Sequence, residues 1–182
     1  MEDRLTELPK GWVWTRFGEI SRVMGGKRLP KGHVYSETPT NYPYIRVTDF
    51  ENMNVNMENL LFLKPETQKI IQRYVISKED IYISIAGSIG KVGLIPEKLD
   101  GANLTENAAK ITSIKGVEKK FLCHYLNSTF SQQQISRLTI SSNQPKLALF
   151  RIEQIIFLSL PFQNSTALLP KLRSFSPNWT LA

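Results

Sequence analysis

Residues 78–95 place the tightest constraint on what this chain can fold into. Ile81, Ile83 and Ile85 alternate with Tyr82, Ser84 and Ala86, so one face of a strand is apolar and the other small or amphipathic. Gly87 and Gly90 follow and supply the freedom in φ that a tight reversal needs. Lys91 is the first long cation after the turn. The stretch reads as a hairpin: a charged lead-in, two strands and a glycine-punctuated turn.

The rest of the chain reads as strands with a few helices, an α+β pattern. Residues 5–20 form an entry segment, broken by Pro9 and Gly11 and anchored by Trp12 and Trp14. Strands are expected at 21–24, 44–47, 60–63, 108–114 and 152–160, and polar loops at 25–43, 51–59 and 96–107. Pro65 and Glu66 open a short helix over 65–73. The clearest helix covers 118–126, where Phe121, Leu122, Tyr125 and Leu126 recur at the helical period opposite Lys119 and Lys120. A second helix is expected at 131–138 and a short turn or helix at 146–151. No internal repeat or low-complexity segment is present.

A chain of 182 residues with 41% hydrophobic content can bury one sizeable core in a single domain. It carries no apolar run long enough for a membrane span, and its charged first residues do not resemble a signal peptide. The single cysteine, Cys123, excludes an internal disulfide and suits a reducing cytoplasm. Charge is unevenly spread. Through Glu106 there are 14 Lys or Arg against 14 Asp or Glu; beyond it there are 9 against 2, so the net +7 lies wholly in the second part. Such a surplus points to a polyanion partner, because neutralising phosphates releases condensed counterions. A solvated basic surface that aids solubility is the alternative.

Enzyme signals are poor. Gly87 to Lys91 departs from a phosphate loop, since Ile85 stands where its first glycine belongs and Val92 where a Ser or Thr would bind magnesium. The Gly-x-x-Gly lies between two strands and not between the helices of a KH clamp. Cys123 and His124 are helix neighbours pointing about 100° apart, a poor start for a nucleophile and its base. Two histidines and one cysteine make no zinc set, and neither a glycine-rich cofactor site nor an Asn/Asp-Pro-Pro-aromatic methyltransferase motif is found.

Three blocks carry a family resemblance: Leu8-Pro9-Lys10-Gly11-Trp12, the segment from Tyr44 through Arg46, Thr48 and Asp49 to Phe50, and the hairpin itself. Supporting text follows in order: Trp14 with Phe17-Gly18-Glu19-Ile20, then Asn103 and Asn107, Phe121-Leu122 with Tyr125-Leu126, and Gln144 leading through Ile152, Ile155 and Ile156 to Leu160-Pro161. In this order and spacing the chain resembles the target-recognition domain of a Type I restriction-modification specificity subunit. The resemblance implies a twisted, strand-rich, sheet-like or barrel-like core with peripheral helices over residues 1–163. Over 164–182 the text diverges: Pro170 and Pro177 interrupt any helix where the family has a spacer helix, which suggests a half-length subunit and puts dimerisation and partner docking in doubt.

What the resemblance implies for function is a non-catalytic module that binds double-stranded DNA, reads one half of a split target and works with a methylation subunit and a restriction subunit. Those partners would use S-adenosylmethionine and ATP with magnesium; no cofactor is expected on this chain. Two copies could pair to mimic a full-length subunit. The rival reading is a decoy that binds the methylation subunit without delivering specificity, and a non-specific RNA-binding barrel is a third.

Candidate DNA contacts lie in loops held on a rigid sheet. The 25–33 loop offers Lys27, Arg28 and Lys31 beside Gly25 and Gly26, which would permit close backbone approach; an ordinary charged turn is the alternative. The 141–146 turn offers Ser142, Asn143, Gln144 and Lys146, a set of donors and acceptors that could read base edges or satisfy its own backbone. Arg46, Ser88 and Lys91 complete the set. Their family positions imply framework or phosphate-facing roles, and Asp49 is expected to bond local backbone at its strand end.

Overall fold

The computed structural model describes residues 13–140 and 143–159. The opening Leu8–Trp12 block, Ser142, Leu160-Pro161 and the divergent tail lie outside the described residues. In chain order the elements are β1 (Val13–Arg16), α1 (Phe17–Ile20), β2 (Arg22–Gly25), β3 (Pro43–Ile45), β4 (Phe50–Glu51), β5 (Asn54–Val55), β6 (Leu61–Phe62), α2 (Pro65–Ile71), β7 (Val75–Ile76), β8 (Ile81–Ser84), β9 (Val92–Leu94), β10 (Ala102–Leu104), β11 (Ala108–Thr112), α3 (Lys119–Asn127), α4 (Thr129–Leu138), α5 (Leu149–Ile152) and β12 (Ile156–Ser159). Short 3-10 turns sit at Val47–Asp49 and Glu97–Leu99.

Two four-stranded sheets dominate, ordered β2-β11-β8-β9 and β6-β3-β10-β7, with no closed barrel among the described residues. The expected hairpin is the heart of the first sheet: β8 pairs antiparallel with β9, Ile81 opposite Leu94 and Ile83 opposite Val92. Gly87 and Gly90 adopt φ of 72° and 89°, the left-handed conformation a Cβ would penalise. All of β8 is buried, so its small and amphipathic face is covered as well as its apolar one. Ile81, Ile83 and Ile85 pack into a cluster with Phe17, Leu122, Leu126, Ile135, Ile152 and Phe157. Tyr82 faces the other way, into a cluster with Ile45, Phe50, Ile76, Ala102 and Leu104 that joins the two sheets.

Tyr82 is fixed on every side. Its ring stacks on Phe50 at 3.7 Å and 11°, its hydroxyl donates to the Asn54 carbonyl at 2.6 Å, and it covers Gly93, where an added Cβ would fall 2.2 Å from the phenol oxygen. The second sheet alternates likewise. Ile45 faces the shared cluster, whereas Tyr44 packs outward with Leu63 and Ile71 of α2, under Tyr35, Tyr42 and Tyr74. Layers therefore run helices, sheet, sheet, then α2 with the 26–42 loop.

Helix ends follow the sequence. Glu118 caps α3 by accepting the Phe121 N–H at 2.7 Å, Ser128 caps α4, and Pro65 occupies the first turn of α2, where its missing N–H costs nothing. Three strands fall at expected loops. Phe50–Glu51 and Asn54–Val55 form a small hairpin at the start of the 51–59 loop, and β10 lies inside the 96–107 excursion, parallel to β3 and antiparallel to β7.

Burial raises the pKa of Tyr44, Tyr82 and Tyr125, the last to about 12. The folded protein holds these phenols neutral while the unfolded chain releases the same protons near pH 10, so stability is fully present below that pH and falls above it. The urea midpoint should be flat up to about pH 9 and drop steadily from about pH 10 upward; an unchanged midpoint at about pH 11 would contradict this account of the core.

Candidate nucleic-acid interface

The segment that leaves β2 is fastened before its side chains can turn outward. Gly26 N–H donates to the Ala108 carbonyl at 3.0 Å and Lys27 N–H to the Leu104 carbonyl at 2.8 Å, while the Tyr44 hydroxyl donates to the Lys27 carbonyl at 2.9 Å. The chain lies so close to β10 that a Cβ on Gly26 would sit 2.1 Å from the Thr105 carbonyl oxygen. This glycine therefore serves internal packing; the close approach it permits is to the protein's own backbone. Lys27 and Arg28 are exposed, with Arg28 reaching Glu106 at 3.3 Å and its side chain 73% accessible, a pairing weak enough to exchange for another anion. Further along, Lys31 is exposed, and His33 Nδ1 lies 2.8 Å from Thr67 Oγ1, tying the loop to α2.

The second loop hangs from the end of the central hairpin. Ile140 and Lys146 bridge one another, and Lys146 bridges Ala86; the Leu147 N–H donates to the Ile85 carbonyl at 2.9 Å. Asn143, Gln144 and Lys146 are exposed on this support. Ser88, exposed in the glycine turn that follows Ala86, belongs to the same end of the molecule.

These segments meet. A cleft of about 380 Å³ is lined by Gly25 to Arg28, Ile85, Glu106 and Lys146 to Leu149, so Lys27, Arg28 and Lys146 converge although they are far apart in the chain. Three cations, Lys27, Arg28 and Lys146, and one carboxylate, Glu106, share its lining with glycines and aliphatic side chains. Such a lining can hold a phosphodiester backbone while neighbouring amides and hydroxyls address base edges.

Two candidates are engaged elsewhere. Asp49, 5% exposed, accepts the Arg46 backbone N–H at 2.7 Å and its guanidinium at 2.8 Å, and the same guanidinium donates to the Asn59 carbonyl at 2.9 Å. Arg46 thus closes the end of β3, as Asp49 was expected to do. Lys91 donates to the Phe50 carbonyl at 3.1 Å, across the aromatic stack. The basic surplus of the second part is likewise divided. Lys110 reaches the Val75 carbonyl at 2.7 Å and Asp80 at 3.7 Å, and Lys119 bonds the Lys78 carbonyl. Of that surplus, Lys146 is the cation among the described residues that lines the cleft.

Cys123 is fully buried while His124 is exposed, and burial pushes the thiol up to about 11. The pair shares no site. Among the described residues no group of three or more His, Cys, Asp or Glu could hold a metal ion, and no helix is long and apolar enough to cross a membrane. One cation escaped the sequence reading: Arg73, just beyond α2, stands beside Tyr74 and shares that ring with Lys27.

Fold and site together define a recognition module in which polar, cationic loops are presented by a stiff two-sheet scaffold. Residues 9–162 match the family model described as Type I restriction modification DNA specificity domain, and the chain belongs to that family. It is 25% identical over 176 residues to the Type I restriction enzyme EcoAI specificity subunit of Escherichia coli, covering 94% of this chain and 29% of that protein. In fold it is similar to the HsdS subunit from Thermoanaerobacter tengcongensis, with TM-score 0.66 at 16% identity over 94% of this chain and 38% of that one. A chain from a structure of complex assembly and conformational transition of the type I R-M system gives TM-score 0.71, 16% identity, and coverage of 94% and 40%. The chain thus spans less than half the length of these relatives. The family is one of DNA specificity domains.

The Arg46–Asp49 pair predicts a stability effect separable from recognition. Asp49→Ala strands a half-buried guanidinium and a backbone N–H and should cost about 2–3 kcal/mol in urea unfolding. A loss below about 0.5 kcal/mol, within the usual range of surface substitutions, would show that the pair does not hold the end of β3.

Proposed function

We propose that this chain reads one half of a bipartite DNA target and holds the duplex so that a methylation subunit can act on an adenine flipped from the stack. The observation that carries the reading is the convergence of two loops at one cationic cleft, both fastened by backbone hydrogen bonds to the central hairpin and its sheet. Loops anchored in this way present side chains in a fixed register, which base readout requires. Lys27, Lys31 and Lys146 meet phosphates and set that register. Arg28, Ser88, Ser142, Asn143 and Gln144 supply the donors and acceptors for base edges. Flipping and methyl transfer belong to the partner, with S-adenosylmethionine bound there; a restriction subunit would bring ATP and magnesium.

Selection of duplexes from a random library near 0.1 M salt, where weak phosphate attraction is partly screened, tests this reading. The chain, alone or with its methylation subunit, should enrich one short half-site. Arg28→Ala and Gln144→Ala should each change the preferred bases, whereas Lys120→Ala, on the exposed side of α3, should leave them unchanged. Binding without enrichment, or none even with the partner, would overturn the reading in favour of a decoy subunit.

A further inference from the structure

We propose that Lys27 and Arg73 form a phosphate-binding site for the backbone of duplex DNA, with Tyr74 as the residue that positions both cations. The inference rests on the DNA-binding reading above and adds to it a contact just beyond the end of α2. Lys27 Nζ lies 5.8 Å from the centre of the Tyr74 ring and Arg73 Cζ lies 4.9 Å from it. Arg73 also donates from Nη2 to the Tyr74 hydroxyl at 2.8 Å. Two cations from separate segments are therefore drawn to one ring.

Neither has a carboxylate within ion-pair distance among the described residues, whereas Arg28, Arg46, Lys78, Lys110 and Lys119 each have one. Two cations gathered at one ring raise the local positive potential, and an anion bound there is attracted by both. The Arg73 hydrogen bond, followed by the charges of Arg73 and Lys27, holds the Tyr74 phenol below its usual range against the opposing effect of burial, which reflects the same cationic field.

The platform is rigid. Tyr74 N–H donates to the Ile71 carbonyl and its own carbonyl accepts the Leu104 N–H, both at 3.0 Å. The Lys27 backbone is pinned to Leu104 and Tyr44. Cations held at one ring on a hydrogen-bonded backbone suit a phosphodiester, which offers charge and oxygen acceptors but no sequence information. Because Lys27 also lines the cleft, the backbone gripped here belongs to the duplex whose bases face the reading loops.

The test is the salt dependence of binding to a random-sequence duplex, compared with the base preference from selection. Arg73→Ala should flatten the slope of log K against log salt by about 0.9, and Lys27→Ala with Arg73→Ala by about twice that, with base preference unchanged. Arg73→Lys should restore the slope. Tyr74→Leu should flatten it although no charge is removed, which a purely structural role would not do. A wild-type slope in Arg73→Ala at unchanged urea midpoint, or a slope change seen only with single-stranded RNA, would overturn the site. Wild-type binding to random duplex without sequence enrichment would overturn the half-site reading and leave this test intact; no wild-type duplex binding would overturn both.

Discussion

The architecture depends on burying both faces of β8. Its isoleucines fill the cluster beneath the helices, and Tyr82 fills the cluster between the sheets. A strand apolar on one side only would support a single layer of cover. Here the second face is completed by one aromatic whose ring is stacked, hydrogen-bonded and seated over a glycine. A one-residue slip in register would exchange the two sets of side chains between incompatible clusters, so the register of the hairpin fixes the positions of both sheets at once.

Recognition follows from that rigidity. The end of β8 supports the 140–147 loop through Ile85 and Ala86. The neighbouring β11 and β10 accept the N–H groups of Gly26 and Lys27. The cleft is therefore built on the ends of interior strands and is not a gap between mobile parts. Changes of side chain at 27, 28, 88 and 143–146 alter exposed groups without touching either core. That is the arrangement a specificity domain requires, since new targets can be read on an unaltered scaffold.

Much of the scaffold was legible because its signals are local. The period-2 isoleucines marked β8, paired glycines marked the turn, and the helical spacing around Leu122 and Leu126 marked α3. β10 was hidden by its own central residue: Asn103 reads as loop, yet its side-chain amide is buried, donating to the Ile71 carbonyl at 2.8 Å. The β4–β5 hairpin was hidden because Asn52 and Met53 take positive φ without a glycine. At the site, the individual loops were legible and their meeting was not, because long-range pairing of Lys146 with Ala86 leaves no periodic trace. Net charge was a blunter guide, as Lys110 and Lys119 serve internal carbonyls. Arg73 was passed over as the polar end of a helix; the adjoining Tyr74, another exposed-seeking ring, was the available signal.

Hydrogen exchange of the chain with and without a bound duplex shows which backbone the DNA covers. Slowed exchange should concentrate at residues 26–33, 86–89 and 143–149, with α3 and the β1–β12 ribbon unchanged. Protection confined to α3 or to that ribbon, with the cleft segments exchanging as in the free protein, would contradict the account.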